Sequence, residues 1–379
     1  MVKLLFKQLL RNIRSSLGQF LSIMLVVAVG AFFFVGMNEA SRTLERNVDD
    51  YYADTNLAAV TGVFGVAGDC AVEEAARKTG STAEGRYVVQ TSTTVRGNRY
   101  DTVLLTRTER VNKPRITAGR EAVASGECIV DETFATANDV RVGDTVEIFN
   151  PQVKSVRLQT DGGLDPNDLV IDNYTMTYTR AQDPDARTVT ATVCGLFTAP
   201  EYLYKVNQAD ISAARDEFAV VIVPYTDIRP TTDTVLFYTQ DASAPFYAAQ
   251  VSADTAIFNQ VLVADTSLTP DAVFAAYEKP YVDLESGDFA VYVSNMSYAR
   301  ADGSSEKSFR SAFKQISSLV AIVPTLFFVV AAIITFISLS KMVDNERTQI
   351  AVMQAIGRRK GAVYFMYTAY ALLAALIGT

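Results

Sequence analysis

The chain has 379 residues, of which 49% are hydrophobic, and it carries 34 basic against 42 acidic residues. It contains no histidine, which removes the commonest general base and metal ligand from consideration. The acidic balance leaves no basic footprint and so argues against nucleic-acid binding. The three cysteines are too far apart for a CxxC zinc or redox pattern.

The N-terminus is predicted to be an amphipathic helix over residues 1–16, followed by a membrane span. Four basic residues recur at helical spacing on one face of this helix: Lys3, Lys7, Arg11 and Arg14. Such a helix lies along a membrane surface. The uncharged stretch 20–37 follows, and its length suits a hydrocarbon core of roughly 30 Å. A cleavable signal peptide is the alternative, but the apolar run is long and no A-x-A-like cleavage site follows it.

A large α+β domain is predicted beyond the first span. Helical periodicity continues outward as far as Tyr51, which indicates a helical stalk. The pattern then changes to short strands, and Val88–Val95 and 100–106 flank a Gly-containing turn that predicts a hairpin. Asp69 is expected to cap a short helix over 71–79. The segment is large enough for two subdomains.

Two features of this domain leave alternatives open. Residues 150–187 are polar and turn-rich and are interpreted as an excursion or a connection between subdomains. The aspartates within it do not match the EF-hand spacing, so a solvated loop is favoured over a calcium site: Asp161, Asp165, Asp168 and Asp172. Cys70, Cys128 and Cys194 are interpreted as isolated core residues, and a disulfide between Cys128 and Cys194 is the alternative in an oxidising compartment.

Charge distribution predicts the orientation of the spans. Further uncharged stretches occupy 319–339 and 361–379, and Pro324 lies within the first of these. Residues 1–37 carry four basic and no acidic residues, and residues 316–379 carry five basic and two acidic, which leaves 25 basic and 40 acidic residues at 38–315. The positive-inside rule therefore places the N-terminus and the loop after the second span in the cytoplasm. Because the last apolar stretch runs to Thr379, we expect further sequence and further spans beyond it.

The loop 341–360, with the sequence KMVDNERTQIAVMQAIGRRK, is the most informative segment. Asp344 or Asn345 can cap a helix in it, and Gly357 can end that helix in the left-handed conformation. Apolar residues recur on this helix at helical spacing: Ile350, Met353 and Ile356. The pattern predicts a short amphipathic cytoplasmic helix, whose apolar face needs either lipid or a cytoplasmic protein as a partner.

The stretch E-R-T-x-I-A-V-M-x-A-I-G at 346–357 resembles the cytoplasmic signature of FtsX-like, MacB-type permeases of ABC transporters. Two further segments, GECIVDETFA at 126–135 and VGDTV at 142–146, resemble a segment common in the extracytoplasmic domains of that family. Gln349 stands where the family usually has Glu, and Gln354 where it usually has Arg or Lys. An ordinary loop with flanking positive charges is the alternative interpretation of the signature.

The resemblance implies that this helix couples to a separate ABC-type ATPase. The residues expected to make that contact are Glu346, Arg347, Ile350, Met353, Ile356, Gly357 and Arg358. The chain has no GxxxxGK[ST] motif, so ATP and Mg are expected on the partner, with no cofactor bound by this chain and no enzymatic activity of its own. Membrane lipids and a second permease half or second copy are further expected partners.

The predicted fold class is a membrane protein with α-helical transmembrane segments and a large extracytoplasmic α+β domain of two subdomains. The location implied is the bacterial plasma membrane, with several passes and a cytoplasmic N-terminus. The predicted divisions are 1–16 amphipathic helix, 17–37 first span, 38–56 stalk, 57–300 extracytoplasmic domain, 301–318 second stalk, 319–340 second span, 341–360 coupling helix and loop, and 361–379 third span.

The implied function is that of a permease subunit that converts ATP hydrolysis by another chain into movement of the extracytoplasmic domain. Export or extraction of a lipid, lipoprotein or peptide, or activation of a cell-wall hydrolase, are the outcomes that the resemblance allows. A sensory receptor with a ligand-binding ectodomain is the alternative, but it would continue from the second span into a long cytoplasmic helix or a kinase. A membrane-anchored ectoenzyme is disfavoured, because no catalytic motif is recognisable.

Overall fold

The computed structural model describes residues 11, 13–14, 16–149, 153–160, 174–180, 188–203, 218–228, 234–239, 247–250, 256–282, 288–355 and 360–378. The chain forms two compact units. One comprises Met1–Val48 with Ser311–Thr379 and is called the helical unit below; the other comprises Asp49–Arg310 and is called the β-rich domain. Of the predicted N-terminal helix, Lys3 and Lys7 lie outside the described residues.

Four helices account for most of the helical unit, and the two long ones also contribute residues to the β-rich domain. They are the first helix Leu17–Asp54, the second long helix Ser304–Asn345, the connecting helix Arg347–Ala355 and the last helix Lys360–Gly378. The first two contain segments long and apolar enough to cross a membrane, and the last contains a shorter apolar segment. Pro324 lies inside the second long helix, which continues past it.

The helical unit has a core of its own, and many of its other apolar side chains face outward. Phe20 and Tyr370 pack edge to face, with ring centroids 5.4 Å apart. The buried cluster around them contains Ile23, Val27, Ala331, Met342, Met366, Tyr367 and Ala374. By contrast, Phe32 is 74% exposed and Phe336 is 72% exposed. A helix surface of this kind suits a lipid environment, because lipid tails are as apolar as these side chains.

The described residues of the β-rich domain form three sheets and a few short helices. The strands, numbered in chain order, are β1 Val60–Ala67, β2 Ala83–Arg86, β3 Val88–Val95, β4 Asn98–Thr106, β5 Arg115–Gly119, β6 Glu127–Asp131, β7 Thr145–Phe149, β8 Val153–Thr160, β9 Tyr174–Arg180, β10 Thr188–Thr198, β11 Phe218–Val223, β12 Thr234–Thr239, β13 Tyr247–Gln250, β14 Phe258–Val263, β15 Tyr281–Val282, β16 Phe289–Tyr292 and β17 Tyr298–Ala299. The short helices are Asp69–Thr79, Glu132–Ala137, Tyr225–Ile228 and Pro270–Val273. Apolar helices therefore flank a large domain of mixed helices and strands, which confirms the predicted fold class.

The first sheet has the strand order β15-β16-β1-β14-β2, with β17 paired to β1. Helix Asp69–Thr79 packs on it through Ala71 and Ala75, in a core that includes Phe64 and Phe274. The prediction that Asp69 caps this helix is wrong, because Asp69 is its first residue and the preceding Gly68 occupies the cap position. The acidic residue still lies in the first turn, where a negative charge interacts favourably with the helix dipole.

The second sheet closes into a ring of six strands in the order β10-β6-β11-β4-β3-β7, and β5 pairs with β10 outside the ring. The predicted hairpin is confirmed as β3 and β4, which are joined by the two residues Arg96 and Gly97. Both have positive φ, at 49° and 84°. A two-residue turn with this backbone matches the right-handed twist of the strands. Alternate residues of the ring strands belong to two buried clusters, one containing Leu104 and the other Leu105.

The third sheet has the order β13-β12-β8-β9. Two of its strands, Val153–Thr160 and Tyr174–Arg180, fall within 150–187, so the turn-rich pattern predicted for that segment is wrong there. Its interpretation as an excursion or a connection between subdomains stays a prediction. The local pattern is misleading because β8 pairs in parallel with β12, a strand that follows it by roughly eighty residues. The four aspartates considered for calcium lie outside the described residues.

The segment 126–135, which carries part of the family resemblance, is a strand followed by a capped helix. Asp131 ends β6 and is 4% exposed. Its Oδ1 accepts a hydrogen bond from Phe134 N at 2.9 Å, which caps helix Glu132–Ala137. Its Oδ2 accepts from Val220 N at 2.8 Å. A carboxylate at this position thus satisfies two buried backbone donors on different elements.

Glu127, in the same segment, closes a surface loop. Arg120 donates to both oxygens of Glu127, and the Nη1 to Oε2 distance is 2.8 Å. The backbone N–H groups of Val123 and Ala124 also donate to Glu127 Oε2, each at 3.1 Å. These hydrogen bonds, that from Arg120 first, lower the pKa of Glu127 to about 2. The loop 120–127 is therefore held by one ionised carboxylate.

Replacement of Asp131 by alanine is expected to lower the free energy of unfolding by about 2–4 kcal/mol, because it removes the helix cap and leaves Val220 N buried without its acceptor. Denaturant titration of the purified full chain measures the change. The adjacent Glu132→Ala change is the control, since that side chain is exposed. Equal stabilities of the two variants would contradict the role given to Asp131.

The three cysteines are free thiols. The alternative of a disulfide between Cys128 and Cys194 is therefore not realised; instead, Cys194 Sγ donates to Cys128 O at 3.3 Å. Burial raises the pKa of both thiols. Burial also raises the pKa of Cys70, to about 11. All three are consequently poor thiolates near neutral pH, and the interpretation as core residues agrees with the burial of Cys128 and Cys194.

Alkylation of the folded chain near pH 7 is expected to be slow at all three cysteines, because the reactive thiolate is suppressed by burial. Denaturation without reductant should release three reactive thiols, counted by the mass added by iodoacetamide. Recovery of a peptide linked through Cys128 and Cys194 would contradict the thiol assignment.

Candidate functional site

The predicted coupling segment is a short helix that follows the second long helix almost without interruption. The second long helix ends at Asn345, Glu346 forms a turn, and the connecting helix begins at Arg347. Helical hydrogen bonding continues through the turn, since Ile350 N donates to Glu346 O at 2.9 Å. Asp344 and Asn345 were expected to cap this helix, but both belong to the preceding one. Asp344 forms an ion pair with Arg347 at 3.0 Å.

A residue of the last helix binds the turn that precedes the connecting helix. Tyr367 Oη donates a hydrogen bond to Glu346 Oε2 at 2.7 Å. Tyr367 is only 6% exposed. The last helix is in turn held to the first, because Tyr370 Oη donates to Ser16 O at 3.2 Å. The turn that precedes the connecting helix is therefore fixed inside the helical unit.

The connecting helix has one face turned into the helical unit and one turned away. Ile350 packs against the core cluster of the unit. The Arg347 side chain is 80% exposed and Val352 is 53% exposed. The residues that share the outward side, called the exposed face below, are Arg347, Thr348, Ala351, Val352, Gln354 and Ala355. At 3.6 residues per turn they cover about 160° of the helix circumference.

Some of the predicted contact residues face the helical unit, and another is exposed. Glu346 and Ile350 face the helical unit, whereas Arg347 is exposed. Met353 lies within the connecting helix. Three further predicted residues, Ile356, Gly357 and Arg358, lie outside the described residues.

Tyr367 was not predicted to belong to this site, and Thr348 and Ala355 were not predicted on its surface. A tyrosine 21 residues after Glu346 gives no local signal for the hydrogen bond. The helical spacing of small residues at positions 351 and 355, four apart, is the signal that could have found the exposed face.

Residues 321–379 match the family model described as FtsX-like permease C-terminal. The matched segment contains most of the second span, the connecting helix and the last helix. This segment is therefore similar to FtsX-like permeases, and together with the apolar helices the match supports a membrane protein. A search of curated proteins found no match.

A second feature considered as a site is a cavity of about 450 Å³ in the β-rich domain. Several of its charged side chains pair with one another: Arg107 with Glu121 at 2.7 Å, and Arg115 with Asp54 at 3.0 Å. Among the residues that the structure describes, no group of three or more His, Cys, Asp or Glu side chains could hold a metal ion. The connecting helix is therefore the better candidate site.

The hydrogen bond between Glu346 and Tyr367 is expected to contribute about 1.5–3 kcal/mol to the stability of the helical unit, because its acceptor is charged. Glu346→Gln and Tyr367→Phe should each destabilise the unit, and the double variant should cost less than the sum of the two. Unfolding by SDS in mixed micelles measures the three changes.

Tyr364→Phe provides the control, because Tyr364 lies on the same helix and is 73% exposed. This variant should behave as the unmodified chain does. Additive effects of Glu346→Gln and Tyr367→Phe would show that the two side chains do not interact.

Proposed function

We propose that this chain is the permease subunit of an ABC transporter in which the connecting helix receives movement from a separate ATPase and the long helices pass it to the β-rich domain. The observation that carries the proposal is the exposed face of Arg347–Ala355. It lies within the segment that matches the FtsX-like permeases, on a helix that follows the turn held by Tyr367.

The exposed face has the properties of a docking surface for a protein. Ala351 and Ala355 are small and allow a partner helix or groove to approach closely. Val352 offers an apolar side chain, and Arg347 offers a charge at one end. Because Ile350 is packed against the helical unit behind this surface, force applied at the face acts on a supported helix rather than on a free loop.

The long helices are suited to carry movement over a distance. The first has 38 residues and the second long helix 42. At 1.5 Å per residue they are about 57 Å and 63 Å long, roughly twice the thickness of a hydrocarbon core. Within the β-rich domain the two are joined, because Tyr52 Oη donates to Glu306 Oε2 at 2.7 Å. Arg310 Nε lies 2.5 Å from the other oxygen of Glu306.

The charge distribution supports an extracytoplasmic β-rich domain and a cytoplasmic connecting helix in the bacterial plasma membrane. ATP and Mg are then bound by the ATPase alone. The β-rich domain does the work outside, by extraction or export of a lipid, lipoprotein or peptide, or by activation of a cell-wall hydrolase. A receptor is the less favoured alternative, because the apolar last helix follows the connecting helix so closely.

Val352→Asp is expected to reduce the amount of ABC-type ATPase that co-purifies with the full chain by at least about tenfold, because docking would bury an unpaired carboxylate. The measurement is affinity purification from solubilised membranes of the source cell. ATPases carrying the P-loop motif are then quantified by mass spectrometry.

Val123→Asp is the matched control, since Val123 is a valine of the β-rich domain that is 64% exposed. It should retain the ATPase. Equal recovery with both variants would place the contact elsewhere, and recovery of no ABC-type ATPase with the unmodified chain would favour the receptor.

A further inference from the structure

A largely buried carboxylate links the first sheet of the β-rich domain to the six-stranded ring. Glu201 lies in the turn Pro200–Tyr202 after β10, and its side chain is 13% exposed. Glu201 Oε1 accepts a hydrogen bond from Arg86, the last residue of β2, whose side chain is 4% exposed. Arg86 is fixed to its own sheet, because its Nε and Nη2 donate to Gln260 Oε1 on β14 at 3.2 and 2.6 Å. The guanidinium therefore spans the two sheets.

The second oxygen of Glu201 accepts from the side-chain amide of Asn112. Asn112 is 5% exposed and has a φ of 50°, a left-handed backbone that asparagine adopts more readily than most residues. Its Oδ1 accepts from Ala58 N at 2.7 Å, and its backbone N donates to Asn56 O at 3.0 Å. Ala58 and Asn56 directly follow the first helix, which ends at Asp54. The Asn112 side chain thus contacts both the segment that follows that helix and the ion pair.

The segment after the first helix is also held by the chain that leads into the second long helix. Arg300 donates to Leu57 O and, at 3.2 Å, to Ala58 O. The backbone N of Arg300 donates to Ala59 O at 2.8 Å. Residues 57–59 are therefore fixed from two directions, and Asn112 is the connection from this segment to the ion pair.

We propose that Asn112 is a positioning residue, which couples the end of the first helix to the relative orientation of the first sheet and the six-stranded ring. A displacement of residues 56–58 moves Asn112, and Asn112 moves Glu201, to which Arg86 is bound. That such a displacement is driven by ATP rests on the proposed function; the positioning itself does not.

The physical reason is that a buried ion pair tolerates few arrangements. An ionised carboxylate removed from water needs its hydrogen-bond donors, and loss of one leaves a costly unsatisfied charge. Glu201 can keep both donors only while three segments keep their relative positions. These are β2, the loop that carries Asn112, and the end of β10. Packed elements with such polar contacts shift between discrete arrangements rather than deforming gradually.

The test uses a variant pair that breaks and then restores the contact. Asn112→Asp puts a second carboxylate beside Glu201 and removes the amide donor. Adding Glu201→Gln restores both contacts, because the glutamine amide donates to Asp at position 112 while its oxygen still accepts from Arg86. Asp139→Asn is the control, since Asp139 has a φ of 52° but is exposed on the ring side.

The readout is the distance between nitroxide labels on the full chain in lipid nanodiscs. The labels are placed at Arg77, 74% exposed on helix Asp69–Thr79, and at Val142, 46% exposed beside the ring. Asn112→Asp should broaden or shift the distance distribution, the double variant should restore it, and the control should leave it unchanged. An unchanged distribution in Asn112→Asp, or no restoration by Glu201→Gln, would overturn the proposal.

A second arm adds the co-purified ATPase and nucleotide, and follows hydrolysis alongside the label distances. In the unmodified chain, the distance between the labels should change with nucleotide. In Asn112→Asp this change should be lost although the ATPase still hydrolyses ATP. Both chains are measured well below the unfolding temperature of the variant. If Asn112→Asp keeps the nucleotide-dependent change in distance, the proposed coupling through Asn112 is wrong. If the unmodified chain binds no ATPase, the proposed function fails, and the nucleotide-free arm still decides the role of Asn112.

Discussion

The largely buried carboxylate of Glu201 is the constraint that joins the first sheet, the six-stranded ring and the segment after the first helix. A carboxylate with 13% exposure must receive hydrogen bonds, and its donors come from segments far apart in the chain, at positions 86 and 112. Burial disfavours the charge on Arg86, but the adjacent carboxylate outweighs this and raises the pKa of Arg86 above its usual value. The Arg86 guanidinium therefore keeps its positive charge beside Glu201. The first sheet, the ring and the segment after the first helix all contact this one group of side chains.

The second long helix is held in a similar way near both of its ends. Glu306 in its first turn accepts a hydrogen bond from Tyr52, and Glu346, which directly follows its last residue, accepts one from Tyr367. In each case a tyrosine from another helix reaches a glutamate that is not freely solvated. Tyrosine suits this role because its ring packs in an apolar layer while its hydroxyl group reaches a polar partner. A helix fixed near both ends by directional contacts is less free to rotate about its axis than one held by apolar packing alone.

Local features of this chain were predictable from the sequence, and long-range ones were not. Uncharged runs predicted the two long helices, and the turn at Gly97 predicted the hairpin of β3 and β4. The pattern at 150–187 failed, because a strand such as β8 is defined by a partner much later in the chain. The same applies to the contact of Arg86 with Glu201. In the sequence alone, an arginine and a glutamate so far apart are interpreted as surface residues. Only the fold shows that they are in contact.

The connecting helix shows how a family signature combines residues with different reasons for being there. Glu346 and Ile350 are required by the helical unit itself, so their presence says little about a partner. Gln354 is exposed and lies on nearly the same side of the helix as Arg347. The family usually has Arg or Lys at this position. Arg347 is therefore the one charged side chain among the described residues of the exposed face. If this face binds an ATPase as proposed, the fit depends more on the close approach of small residues than on charge, and salt should weaken it little.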